Sequence, residues 1–244
     1  MSAADLAGRV VVVTGAGGAL GGLVCEQAAR RGAAVELCDR TAPLAEEAAG
    51  RVAGVGGDAT ATVVDLLDAD ATARWGVDVV ARRGRVDGLV HLVGGWRGGA
   101  PLAQADLADW DLLQQLLVRT LQTTSQAFHA ALTASDDARL VIVSAKEAHR
   151  PTQKNAAYAA AKAAAEAWVQ AIAHSWKDVP TAAAVTLVVT GLVTPQMRAD
   201  RPDAAFTNLT DIDEVARAVT GLWDRPASDL NGARLWLTPE PSRT

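Results

Sequence analysis

The sequence predicts an α/β fold: a doubly wound, mostly parallel sheet of seven strands with helices on both faces. Three observations predict it. Short apolar runs alternate with helical stretches along the chain, and parallel strands need crossovers, which are right-handed. The first run is four consecutive valines, Val10 to Val13, the pattern of a strand buried on both faces. A glycine cluster containing Gly15, Gly17, Gly18 and Gly21 follows at once, and Leu20, Leu23, Val24 and Ala28 then recur at helical spacing.

That helix ends in Arg30, Arg31 and Gly32, cations at the negative pole and a glycine free to take positive φ. Residues 34–38 form the next strand, closed by Asp39. Thr41 is expected to cap a helix with Pro43 in its first turn, which the glycines of 54–57 break. A strand at 61–64 closes on Asp65 and Leu66, and a helix covers 70–83. The fourth strand, 88–93, runs into Gly94 and Gly95, with a loop at 95–101. One long helix is expected over 109–134, a strand over 140–144, a helix over 155–176 and a strand over 185–189. Residues 190–208 read as a long irregular segment before a helix at 212–223 and a last strand at 234–238. No linker or repeat divides the chain, so residues 1–244 are expected to form a single domain.

The composition excludes several functions. Half of the 244 residues are hydrophobic and the net charge is −5, which argues for a large core and against nucleic acid as a partner. No apolar run is long enough to cross a membrane. Residues 1–5 lack a basic region followed by an apolar run, so no secretory signal is expected. Cys25 and Cys38 have neither metal-ligand nor disulfide-framework spacing, and are expected as buried reduced thiols of a cytoplasmic protein. No metal site is expected.

A glycine turn between strand and helix points backbone N–H groups at an anion and lets a pyrophosphate come close. Asp39 lies near the spacing of a carboxylate that accepts from an adenosine ribose 2′-hydroxyl. The turn and the carboxylate together predict a dinucleotide site. Ligands of such sheets bind past the carboxyl ends of the strands, which directs attention to Gly15, Asp39, Asp65, Gly94, Ser144 and Gly191. Tyr158, the single tyrosine, precedes Lys162 by four residues, which places both on one helix face. An ammonium beside a phenol favours phenolate and lowers its pKa from about 10, as proton transfer to or from an alcohol would need.

Taken in order, Val13-Thr14-Gly15 with the glycines to Gly21, Asp39, Asp65, Gly94, Ser144, the Tyr158/Lys162 pair and Gly191-Leu192-Val193-Thr194 resemble the short-chain dehydrogenase/reductase family over essentially the whole chain. The resemblance implies a single-domain Rossmann fold, a nicotinamide cofactor, a small-molecule substrate and a homodimer or homotetramer. It implies cofactor contacts from Gly15, Gly18, Leu20, Gly21, Asp39, Arg40, Asp65, Leu66, Val93, Gly94, Tyr158, Lys162, Val193 and Thr194. Tyr158 would be the proton donor or acceptor, Lys162 would hold the nicotinamide ribose and depress the tyrosine, and a serine would bind the substrate oxygen. Asp39 would repel the 2′-phosphate of NADP, so NAD is expected, although Arg40 beside it could bind a phosphate. Asp65 reads either as an adenine contact or as a strand-end cap.

Four positions depart from the family pattern. Ala19 stands for the middle glycine of the turn. His91-Leu92-Val93-Gly94 replaces Asn-Asn-Ala-Gly, and His91 is expected to be structural. Ala145 stands where the family serine falls, and Ser144 substitutes for it if the strand has already turned there. The helical asparagine of the family is absent, with Thr120 or Leu117 nearest to it. Tyr158, Lys162 and Ser144 are thus the expected catalytic set of an NAD-dependent oxidoreductase that interconverts a secondary alcohol and a ketone. The alternative is a non-redox or silent NAD-binding member. Lys146 and Glu147, directly after Ala145, read either as new site residues or as a solvated loop. Trp96 and Arg97 in the loop 95–101, and Met197, Arg198, Arg201 and Phe206 in the segment 190–208, are expected near the substrate, with the arginines as partners for an anionic group.

Overall fold

The computed structural model describes residues 6–238; the stretch read for a secretory signal lies outside the described residues. In chain order the elements are β1 (Val10–Thr14), α1 (Ala19–Arg30), β2 (Ala34–Asp39), α2 (Ala42–Gly54), β3 (Asp58–Val63), α3 (Ala69–Arg83) and β4 (Gly88–His91). Then come α4 (Leu107–Gln114), α5 (Thr120–Ala134), β5 (Ala138–Ala145), α6 (Ala156–Ser175), β6 (Ala182–Val189), β7 (Leu192–Val193), α7 (Pro195–Asp200), β8 (Thr210–Asp211), α8 (Ile212–Thr220) and β9 (Arg234–Trp236). Seven strands form one sheet in the order β3-β2-β1-β4-β5-β6-β9, with every neighbouring pair parallel. This is the expected doubly wound, Rossmann-like sheet.

The strand alternation explains the two helical layers, because successive side chains point to opposite faces. Val11 and Val13 of β1 join a core with α1, α2 and α8, through Val24, Val52 and Val215. Val12 joins the opposite core with α3, α5 and α6, through Trp75, Phe128 and Val169. There the Trp75 and Phe128 rings meet edge to face at 5.0 Å. Between β1 and β4 the strand order reverses, which opens a crevice at their carboxyl ends.

Three local expectations change. The long helix predicted over 109–134 is interrupted by a π-turn, Gln115–Arg119. There the Thr120 hydroxyl donates to the Leu116 carbonyl at 2.7 Å, a side chain competing for a helix carbonyl. Thr41 opens α2 without a side-chain cap bond, whereas Asp68, Asp106, Thr194 and Asp211 do accept at their helix starts. The irregular segment 190–208 contains β7 and α7, and β7 pairs with β8 in a separate two-stranded sheet. Among the described residues no helix is long and apolar enough to cross a membrane. Cys25 and Cys38 are both free and buried.

Candidate active site

The crevice begins where β1 ends. Gly15 takes φ +70°, and a Cβ there would stand 2.9 Å from the Val93 backbone nitrogen. The two neighbouring strands therefore approach more closely than an alanine allows. A Cβ at Gly21 would sit 2.3 Å from the Gly15 carbonyl oxygen, so α1 rests directly on the turn. Gly18 caps α1 with no side-chain bond, and the first N–H groups of a helix have no partner within it. Ala19 is exposed as the first residue of α1, so its methyl is not forced into the turn. These features fit a pyrophosphate.

Two adjoining cavities share Gly15, Gly18, Val93 and Gly94. The first, about 420 Å³, is lined by Asp39, Arg40, Asp65 and Leu66. Asp39 Oδ2 accepts from the Gly17 N–H at 2.9 Å, and Oδ1 from the Arg40 N–H at 2.7 Å. The turn thus fixes the carboxylate at the cavity wall. Asp65 accepts from the Leu67 N–H at 3.0 Å, as a strand-end cap does, and it also lines the cavity. The second cavity, about 780 Å³, is lined by Leu20, Gly21, Tyr158, Lys162 and Thr194. Val193 is buried and is the one member of the expected cofactor set that lines neither cavity.

Lys162 Nζ donates to the Val143 carbonyl at 2.7 Å and lies 5.8 Å from the centre of the Tyr158 ring. Burial pulls the ammonium down to about 8, against a smaller opposing effect of Glu166. The expected depression of the phenol is reversed. Burial, and then the charge of Glu147, push Tyr158 up to about 12. The ammonium is aimed at a backbone carbonyl, and the carboxylate near the ring disfavours phenolate.

Ser144 and Ala145 both line the Tyr158 cavity, but the Ser144 hydroxyl is committed elsewhere. β5 is still extended at Ala145 (φ −128°, ψ 149°), so Ser144 and Ala145 face opposite ways. The Ser144 hydroxyl donates to Glu166, whose other oxygen meets His149 Nε2 at 3.0 Å and also Arg234. Glu166 and its partners escaped the sequence reading, because nothing in the spacing of 144, 149, 166 and 234 brings them together. Arg97 lines the Asp39 cavity and not the one with Tyr158; its guanidinium donates to the Trp96 carbonyl at 2.9 Å. Trp96 does line the Tyr158 cavity. Met197, Arg198, Arg201 and Phe206 line neither cavity, and the two guanidiniums pack on the Phe206 ring at 5.6 and 5.5 Å.

His91 is buried between two threonines. Thr120 spends its hydrogen on Leu116, so it accepts from His91 Nε2 at 3.2 Å. Nδ1 is then left to accept from the Thr14 hydroxyl at 2.8 Å. Burial, helped by the Lys162 charge, drives the imidazole down to about 3. The unfolded chain takes up a proton below about pH 6.5 that the folded chain refuses, so this contribution to stability is lost as pH falls from 6.5 toward 3. From pH 7 to pH 5 the loss is about 2 kcal/mol. Urea midpoints of His91→Gln are expected to fall less over that interval than wild type; parallel curves would refute the assignment.

A family model described as short chain dehydrogenase matches residues 9–205. Among curated proteins, the uncharacterized oxidoreductase UxuB of Bacillus subtilis (strain 168) is 26% identical over 97% of this chain and 90% of its own. D-threitol dehydrogenase of Mycolicibacterium smegmatis is 27% identical over 94% and 91%. Among solved structures, an NADPH-bound short chain oxidoreductase with an atypical catalytic centre, from Pseudomonas aeruginosa PAO1, superposes with TM-score 0.88 at 23% identity, covering 98% and 99%. The family match spans the glycine turn, the first cavity, all of the second but Ile212, and the Tyr158/Lys162 helix, and the chain belongs to the short chain dehydrogenase family of oxidoreductases.

Proposed function

We propose that the protein interconverts a secondary alcohol and a ketone with NAD(H), and that Tyr158 is the proton donor and acceptor. The observation that carries this reading is the continuity of the two cavities through Gly15, Gly18, Val93 and Gly94. An anchored carboxylate stands at one end and the Tyr158/Lys162 pair at the other. A bound nicotinamide dinucleotide supplies the hydride donor or acceptor. The turn Gly15–Gly21 and the start of α1 would hold its pyrophosphate, Asp39 its adenosine ribose, and Lys162 its second ribose. Tyr158, pushed up to about 12, keeps its proton at neutral pH and gives it to the oxygen of a ketone being reduced. In oxidation it takes that proton back. Asp39 favours NAD over NADP by charge, although the solved relative named above holds NADPH.

The bare methyl of Ala145 favours a second reading, a silent dinucleotide-binding member. Losing one donor to a developing oxyanion costs about 10²–10³ in rate, which slows an enzyme without stopping it. The same proposal takes the protein to be a cytoplasmic homo-oligomer. Exposed apolar side chains at Leu102 and, within α4, at Leu107 and Trp110 support the assembly. The test is a fluorescence titration with NADH and NADPH, followed by a screen of secondary alcohols and ketones at the reduced-cofactor absorbance. NADH binding with turnover is expected. Binding without turnover would establish the silent reading.

A further inference from the structure

At the end of β5 the wall of the Tyr158 cavity carries Ser144 and Ala145, and the one hydroxyl there donates to Glu166. Ala145 offers a methyl. The next polar group on that wall is Glu147, in the middle of the single turn Lys146–Ala148. It lines the same cavity as Tyr158 and Lys162 and is the one acidic residue among the described residues that do so. Its Oε2 is buried and has no hydrogen-bond partner. A buried carboxylate oxygen left unpaired costs free energy, and such atoms in native proteins call for an explanation. The nearby cations do not supply one. The Lys162 ammonium donates to the Val143 carbonyl, Arg97 lines the other cavity, and Lys154 is exposed at the cavity wall.

We propose that Glu147 is a specificity-determining residue that accepts a hydrogen bond from a hydroxyl or ammonium group on the carbon next to the reacting carbinol. The inference rests on the alcohol–ketone reading above. It follows from the chemistry of the group. An ionised carboxylate is an acceptor and not a donor, so it pairs with a donor-bearing substrate and repels a substrate carboxylate. Glu147 and Tyr158 line one cavity, so a single bound molecule can reach both groups. The anionic substrate expected from Arg97 is replaced by a neutral polyol or an amino alcohol.

Four compounds sharing one carbon chain separate the possibilities: hexan-2-ol, hexane-1,2-diol, 1-aminohexan-2-ol and 2-hydroxyhexanoate. In wild type, kcat/KM for the diol and the amino alcohol is expected to exceed that for hexan-2-ol by about tenfold, the scale of one hydrogen bond to a charged group. The hydroxy acid is expected to be the poorest. Glu147→Leu should bring the first three to within about twofold of one another. Glu147→Gln should keep part of the diol advantage, lose the amine advantage and improve the hydroxy acid. Reduced-cofactor binding reports whether each variant is folded, and the Gln variant decides if the Leu variant is not. Equal diol-to-monoalcohol ratios in wild type and variant, or a wild-type preference for the hydroxy acid, overturn the proposal. If wild type turns over none of the four, turnover does not read the proposal and the wider screen decides the redox reading separately. The same compounds are then titrated calorimetrically into cofactor-saturated protein. Tighter binding of the diol and amine that vanishes in Glu147→Leu upholds the recognition role, and uniform binding refutes it.

Discussion

Tyr158→Phe is expected to lower turnover of any alcohol or ketone by about 10²–10⁴-fold, the range in which a positioned proton donor or acceptor acts. The substitution removes one oxygen and keeps the ring, which lies 5.8 Å from the Lys162 ammonium and packs with Leu113, Leu117 and Ala161. The fold should therefore survive, and reduced-cofactor titration checks that it does. The direction of the Tyr158 shift adds a second readout. With the phenol pushed up to about 12, the phenolate fraction in the free protein grows with every step of alkalinity between pH 7 and pH 9. Wild-type alcohol oxidation should speed up across that interval, and the residual rate of the variant should lose this dependence. Turnover retained within a few-fold would remove Tyr158 from the chemistry and leave the site to another proton carrier. Among the described residues His91 is the one imidazole in the cavity lining, but it is held neutral between Thr14 and Thr120.

Local pattern carried most of the fold and the glycine-turn end of the candidate site. The valine run, the glycine turn and Asp39 lie within one strand–helix–strand unit, so the sequence holds their geometry in short-range spacing. Tyr158 and Lys162 were legible for the same reason, since one helical turn fixes their relation. What escaped was long-range. Ser144 could not be judged without knowing that β5 stays extended through Ala145 and that Glu166 waits on α6. The sign of the Tyr158 shift depends on burial and on Glu147, eleven residues away in a turn whose path the sequence leaves open. Arg97, Arg198 and Arg201 read as substrate partners because loop cations have no visible partner in a sequence. The structure gives the first a backbone carbonyl, the other two the Phe206 ring, and Arg198 the Asp211 carboxylate at 3.0 Å as well. The π-turn before Thr120 was hidden because an apolar helical pattern tolerates one inserted residue without losing its buried face. Glu147 had one visible signal, its place directly after the missing serine.

Asp39→Asn is expected to raise affinity for NADPH by about 10- to 100-fold while changing that for NADH much less. The asparagine is chosen because the carboxylate has two jobs. It is an acceptor for the Gly17 and Arg40 N–H groups, and it is a negative charge at the wall of the first cavity. An amide keeps one oxygen for the Gly17 contact, so the turn is preserved while the charge is lost. A carboxylate and a phosphate about 4 Å apart repel by about 4 kcal/mol at the effective dielectric of a protein surface. Asp39 is partly exposed and Arg40 stands beside it, so solvent and the guanidinium reduce that figure to the expected one to two decades. A second substitution, Arg40→Ala in the Asp39→Asn background, separates the two contributions. If the gain came from removing repulsion alone, the double variant keeps it. If the guanidinium then pairs with the 2′-phosphate, the double variant loses about tenfold. Wild-type protein that already binds NADPH more tightly than NADH would overturn the preference for NAD and assign the dominant charge at this wall to Arg40.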